Sequence, residues 1–233
     1  ASCPPGDDMN HQPTVIFDLD GTLADTLHDL VPALNRTLVE HDIDAVSADQ
    51  VGYFTGRGGL KEMITHALQS TGAPLNQQLL DEVFVASLAD YEQNISVNTV
   101  IYPGVRDCFV QFADHGWLLG VCTNKPVGLA DKLLHELEMD QLFAAVTGGD
   151  SFDFKKPDPR HLIRTIEIAG GLSSKAIMVG DTRNDILAAK QANVPVIGVD
   201  FGYSEHPLET YNPDRVISSF DSLFAEAVQL TAR

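Results

Sequence analysis

The 233-residue sequence predicts an α/β fold: a doubly wound, parallel, Rossmann-like sheet with an all-helical segment inserted after its first strand. Three observations carry this expectation. A short apolar run, Val15-Ile16-Phe17, ends abruptly in Asp18-Leu19-Asp20-Gly21-Thr22, as a buried strand ends at a turn. From Asp25 to Ile95 the apolar residues recur only at helical spacing. Beyond Tyr102-Pro103-Gly104, helix and strand patterns alternate to the end of the chain.

In chain order, residues 1–12 are polar and rich in Pro and Gly, unlike a signal peptide. They are read as a disordered lead-in, with the stretch ahead of Met9 not assigned by the sequence to the native protein. The first strand covers Thr14 to Asp18. A helix follows from Asp25, with Leu27, Leu30, Val31, Leu34 and Leu38 on one face, Asp25 or Thr26 available as its cap and Pro32 as a kink point. Further helices are expected over Leu60 to Leu68 and Leu75 to Tyr91. Strands are expected at Leu118 to Thr123, Ala144 to Gly148, Ile177 to Val179, Val194 to Val199 and Arg215 to Ile217. The domain reading is therefore a core of residues 13–25 and 96–233, interrupted by a helical cap of residues 26–95, with hinges near Asp25 and Asn94 to Thr99.

Composition narrows the function. Hydrophobic residues make up 44% of the chain, enough for a core, and the longest apolar runs, such as Trp117 to Cys122, fall far short of a membrane span. A formal charge of −18 argues against nucleic acid and anionic membranes as partners. Cys3, Cys108 and Cys122 are too few and too scattered for a disulfide framework or a zinc site, which suits a reducing, cytoplasmic setting. The eight histidines show no ligand spacing and are expected on helix surfaces or loops. Nothing in the sequence sets the oligomeric state.

Ligands of an open parallel sheet bind at the carboxyl ends of its strands, so the residues just after each apolar run matter most. There the chain carries Asp18 and Asp20, Thr123-Asn124, and Gly180-Asp181-Thr182-Arg183-Asn184-Asp185, and a fourth segment, Lys155-Lys156-Pro157-Asp158-Pro159, follows the Ala144 strand and places a cation ahead of a proline-started helix. Asp18, Asp20 and Asp181 offer hard oxygen ligands suited to Mg²⁺ together with waters and a phosphate oxygen. Thr123, Asn124 and neighbouring backbone N–H groups suit phosphate oxygens, and Lys156 offsets the charge of nucleophile and phosphate. Such a set is built for phosphoryl transfer to a carboxylate.

Asp18-Leu19-Asp20-Gly21-Thr22, Thr123, Lys156-Pro157 and Gly180-Asp181-x-x-x-Asp185 resemble, in order, the four motifs of the haloacid dehalogenase superfamily. Within it the chain looks most like phosphoglycolate phosphatases, through Leu23-Ala24-Asp25-Thr26, Asp29-Leu30, Tyr102-Pro103-Gly104-Val105, Thr123-Asn124-Lys125-Pro126, Gly148-Gly149-Asp150-Ser151 and Gly202-Tyr203. The resemblance implies a Mg²⁺-dependent phosphomonoesterase working through an aspartyl-phosphate, with a small-molecule phosphoester, 2-phosphoglycolate first, as substrate. It implies that Asp18 is the nucleophile and Asp20 the acid and base. It also implies that Asp18, the Asp20 backbone carbonyl and Asp181 hold the metal, with Asp185 behind them.

Other readings stay open at this stage. Asp185 also fits an N-cap of the following helix, and Thr123 a strand end satisfying its own backbone. Lys155 reads as a solvated lysine, and Lys125 and Arg183 as rim charges without a chemical role. Thr55-Gly56-Arg57-Gly58-Gly59 reads as a mobile glycine-rich loop in which Arg57 grips the non-phosphate end of the substrate, or as an exposed turn. Sugar phosphatases, pyrophosphatases and a sugar phosphomutase use the same core chemistry. Thr22 fits the phosphatase form, and a phosphonate hydrolase would need a cap lysine, for which Lys61 alone is available. A phosphoaspartate signalling module would have no use for Asp20 or for a helical lid.

Overall fold

The computed structural model describes residues 11–232, with the side chain of Arg57 outside the described part. Residues 1–10 of the expected lead-in therefore lie outside it, while His11 is placed, its ring 3.1 Å from the Gly170 carbonyl. Six parallel strands form one sheet: β1 (Thr14–Phe17), β4 (Leu118–Cys122), β5 (Ala145–Thr147), β6 (Ala176–Gly180), β7 (Val196–Val199) and β8 (Arg215–Ile217). Their order is β5-β4-β1-β6-β7-β8, so the chain starts in the middle, builds outward on one side and then crosses to the other. The carboxyl ends of β4, β1 and β6 are thereby neighbours, at the place where such sheets bind ligands.

The side-chain period of two along β1 explains why its run is apolar throughout. Val15 and Phe17 face one side, with Phe109 and Phe112 of α6 (Val105–Asp114) and with α7 (Val127–Glu136) and α10 (Leu223–Thr231). Phe17 meets Phe109 edge-on at 5.3 Å between ring centres. Ile16 faces the other side, with Leu162 and Ile166 of α8 (Pro159–Ile168) and Ile186 and Ala189 of α9 (Arg183–Gln191).

Between the first two strands of the central sheet in sequence lies a helical insert: α1 (Leu27–Glu40), α2 (Ala48–Val51), α3 (Thr55–Gly58), α4 (Leu60–Thr71) and α5 (Gln77–Gln93). Leu30, Leu34, Leu38, Met63, Ile64 and Leu68 pack its interior, and Arg36 on α1 pairs with Asp90 on α5. Helix α1 runs through Pro32 to Glu40. Where the insert leaves and rejoins the core, β2 (Ala24–Asp25) and β3 (Val100–Ile101) pair antiparallel. The buried Asp29 ties the second crossing to the first: it accepts bonds from the Asn98 N–H at 2.9 Å, the Thr99 N–H at 2.7 Å and the Thr99 hydroxyl at 2.8 Å.

The structure corrects two expectations here. Residues 55–58 are a turn of helix rather than an open loop: the Gly59 N–H closes on the Thr55 carbonyl at 3.0 Å, and Gly59, at φ 69°, ends the turn. The two-residue strands β2 and β3 were not expected, because two residues are too short to show an alternation. No helix among the described residues is long and apolar enough to cross a membrane.

Candidate active site

Strand β1 stops at Phe17 because the chain folds back on itself: the Leu19 carbonyl accepts from the N–H groups of Thr22, Leu23 and Ala24, and Gly21 turns at φ 80°. A side chain at Gly21 would meet a carboxylate oxygen of Asp181 at 2.4 Å, so the turn needs a glycine there. The turn leaves Asp18 and Asp20 on the wall of one cavity of about 270 Å³, with Thr123, Asn124 and Lys156. Helix-insert residues Leu60, Phe84 and Tyr91 also line it.

Lys156 is 2% exposed, with its Nζ 3.0 Å from an Asp18 oxygen and 2.6 Å from one of Asp185. Burial alone would push its ammonium down, yet the two carboxylates beside it hold it above the usual lysine range. Lys155, next in sequence, is exposed. Burial pushes the Asp18 carboxyl up to about 7 against the pull of Lys156, and burial with Asp185 and Asp18 nearby pushes Asp181 well up. Asp181 is fully buried and accepts from the Thr22 hydroxyl at 2.8 Å and the Tyr203 N–H at 2.7 Å.

Carboxylate oxygens of Asp18, Asp181 and Asp185 all lie within 4.8 Å of one another. Three buried acids this close, two of them driven toward the neutral form, call for a cation, and an all-oxygen donor set fits Mg²⁺. Within the set Asp185 is already engaged. One oxygen takes Lys156, and the other takes the Thr182 N–H at 2.9 Å and its hydroxyl at 2.6 Å. The N-cap reading of Asp185 is thus corrected: Thr182 is the N-cap of α9, and Asp185 sits three residues on as its capping-box partner.

Thr123 follows β4 and accepts the Lys125 N–H at 3.2 Å. The Asn124 amide donates to the Lys156 carbonyl at 2.9 Å, tying two loops together, while its own buried oxygen has no partner among the described residues. Lys125 is no rim charge. Its side chain is 5% exposed, and its Nζ lies 2.8 Å from Asp20 Oδ1 and 2.8 Å from the Tyr91 hydroxyl. Burial would push it down, but Asp20 and Tyr91 hold it above the lysine range. Its sequence signal was its place, directly after Thr123-Asn124 at a strand end. Arg183 is exposed at the start of α9, as a rim charge would be.

Two more participants went unassigned from sequence. The Tyr203 hydroxyl donates to Asp25 at 2.7 Å and accepts from the Thr26 N–H at 2.7 Å, bracing the first crossing into the insert while its N–H holds Asp181. Asn184 donates to the Gly56 carbonyl at 2.6 Å, and a side chain at Gly56 would fall 2.5 Å from Thr182, so the insert rests on the core beside the acids. The backbone of Arg57 lies in α3; its side chain lies outside the described residues. His161, expected on a surface, is fully buried behind Lys156, with its ring 3.1 Å from the Thr147 hydroxyl.

Residues 15–199 match the family model of haloacid dehalogenase-like hydrolases. A phosphoglycolate phosphatase of Mesorhizobium japonicum is 41% identical over 224 residues, covering 95% of this chain and 97% of that protein. One of Agrobacterium fabrum is 42% identical over 211 residues, covering 91% and 90%. A solved structure from Haemophilus somnus 129pt, described as a predicted phosphoglycolate phosphatase, superposes with a TM-score of 0.86 at 27% identity, over 94% of this chain and 99% of that one. With its parallel sheet, its strand-end acids and these relatives taken together, the chain belongs to the haloacid dehalogenase-like hydrolase family.

Proposed function

We propose that this hydrolase is a Mg²⁺-dependent phosphomonoesterase whose substrate is 2-phosphoglycolate. One observation carries the reading: Asp18, at the end of the central strand, is held 3.0 Å from a buried ammonium inside a cavity it shares with Asp20. A carboxylate attacks a phosphate only when the charge between them is offset, and Lys156 does this from below. Asp18 forms a bond to phosphorus, the bond from phosphorus to the substrate oxygen breaks, and Asp20 gives that oxygen a proton. Water then attacks the aspartyl-phosphate, Asp20 takes its proton, and inorganic phosphate leaves.

Thr123 and the backbone after β4 hold the phosphate oxygens, and Asn124 fixes the loop that carries Lys156. Asp18, the Asp20 backbone carbonyl and Asp181 would hold Mg²⁺, and Asp185 keeps Lys156 in place. When bound, the ion supplies further neutralisation of charge on the transferring group. The insert of residues 26–95 serves as a cap that selects the leaving group, with Arg57 assigned to recognition of the substrate carboxylate. The cavity lies just under the roughly 300–1,000 Å³ typical of drug-sized ligands, which favours a small ester. A cytoplasmic setting goes with this reading, since the buried thiols of Cys108 and Cys122 stay unpaired.

The substrate rests on the phosphoglycolate phosphatases at 41% and 42% identity. One feature favours a second reading, a larger or less polar phosphoester: Leu30, Leu60, Phe84, Leu88 and Leu129 give the leaving-group side an apolar wall. Ranking small phosphoesters with Mg²⁺ by kcat/KM decides between them. The proposal expects 2-phosphoglycolate first, and a lower preference for it over an aryl phosphate in Arg57→Ala. A sugar phosphate or pyrophosphate at the top would overturn the assignment.

A further inference from the structure

We infer that Lys125 is the positioning residue of the proton-carrying Asp20, and that Tyr91 makes this positioning conditional on the helical insert resting on the core. The inference rests on the reading of Asp20 as the acid for the leaving group. Asp20 Oδ1 accepts two bonds, from Lys125 Nζ at 2.8 Å and from the Thr26 hydroxyl at 2.7 Å. No bond to its other oxygen is made among the described residues, and Asp20 lines the cavity. One oxygen is thus anchored while the other is left for proton transfer.

The anchors come from three parts of the chain. Thr26 lies at the crossing into the insert, Lys125 in the core loop after β4, and Tyr91 on α5 of the insert. A four-carbon side chain holds a fixed position only when its surroundings restrain it. Lys125 is restrained by the Tyr91 hydroxyl at 2.8 Å and by the Tyr91 ring, whose centre lies 4.6 Å from Nζ. Tyr91 is itself 1% exposed and packed in the main hydrophobic cluster, so it moves only with α5. Lifting the insert would carry Tyr91 away and free Lys125. Asp20 would then keep only the Thr26 bond, and the acid would lose its aim.

The test uses leaving groups. A good leaving group departs without a proton, whereas an alkoxide needs one, and kcat/KM reports the steps through its departure. The full chain with Mg²⁺ is assayed on 2-phosphoglycolate and on 4-nitrophenyl phosphate, with Asp20→Asn as reference. Loss of general acid catalysis typically costs about 10²–10⁴-fold. Lys125→Met is expected to lose about 10²-fold on the alkyl ester and only a few-fold on the aryl ester.

Tyr91→Phe, which keeps the ring and removes the hydroxyl, is expected to show the same selectivity at roughly a tenth of the size. The double variant should lose no more than Lys125→Met alone, because Tyr91 acts through Lys125. Should Lys125→Met not fold, Tyr91→Phe carries the test. Equal losses on both esters, or additive losses in the double variant, would overturn the inference. An Asp20→Asn reference without leaving-group selectivity would instead overturn the mechanism on which it rests.

Discussion

His161 sits on α8 with its ring fully buried against Thr147 and Phe152, and burial, together with Lys156 nearby, pushes it down from 6.5 to about 4. Between these values the unfolded chain binds a proton that the folded one refuses. The stabilisation is therefore complete above pH 6.5 and is lost as the pH falls toward 4. At 1.36 kcal/mol per pH unit the loss is about 3 kcal/mol. Urea denaturation of the native chain and of His161→Gln across this window should show it: the difference between the two stabilities shrinks or reverses by about that amount on acidification, and a pH-independent difference would refute it.

The same residue shows where sequence reading stops. A histidine three residues into an amphipathic helix looks the same whether its neighbour is water or a threonine hydroxyl. Asp18, Asp20 and Asp181 announced themselves by sitting at strand ends, and Lys156 by its place just ahead of a proline-started helix. Lys125 also sits at a strand end, but whether a strand-end lysine is buried depends on Tyr91, 34 residues earlier in the chain on another element.

At the scale of elements, the central parallel strands were legible because strands covered on both faces are apolar throughout, and the edge strand β8 spans the expected Arg215 to Ile217. The crossing into the insert was not. Strands β2 and β3 have two residues each, and what fixes them is the side chain of Asp29 reaching 69 and 70 residues ahead. Replacing Asp29 by Ala strands the N–H groups of Asn98 and Thr99 and the Thr99 hydroxyl where the insert rejoins the core. The expected cost is about 3 kcal/mol or more in stability; the proposed cap, hinged at this crossing, would also change kcat and KM together. Unaltered kinetics in a destabilised variant would reduce Asp29 to a purely structural tie.

Across the whole molecule, one hydrophobic cluster runs from the sheet through the insert, and Asn184, Gly56, Tyr203 and Asp25 seam the two together beside the acids. Stability, the placement of the insert and the acid cluster are therefore coupled. A cation that binds only the folded chain stabilises it by about 2.7 kcal/mol at a hundred times its Kd. Mg²⁺ should accordingly raise the thermal midpoint of the native chain, chelation should reverse the gain, and Asp181→Asn should abolish it. An equal gain in that variant would place the ion elsewhere.

The central claim is that Asp18 takes the phosphoryl group. The measurement that meets it most directly is mass spectrometry of peptides from a turnover reaction quenched in acid, with 2-phosphoglycolate or the best ester of the panel. One phosphoryl mass is expected on the peptide holding Asp18, absent in Asp18→Asn together with turnover. Full turnover in Asp18→Asn, or a phosphoryl group carried on another residue, would contradict it.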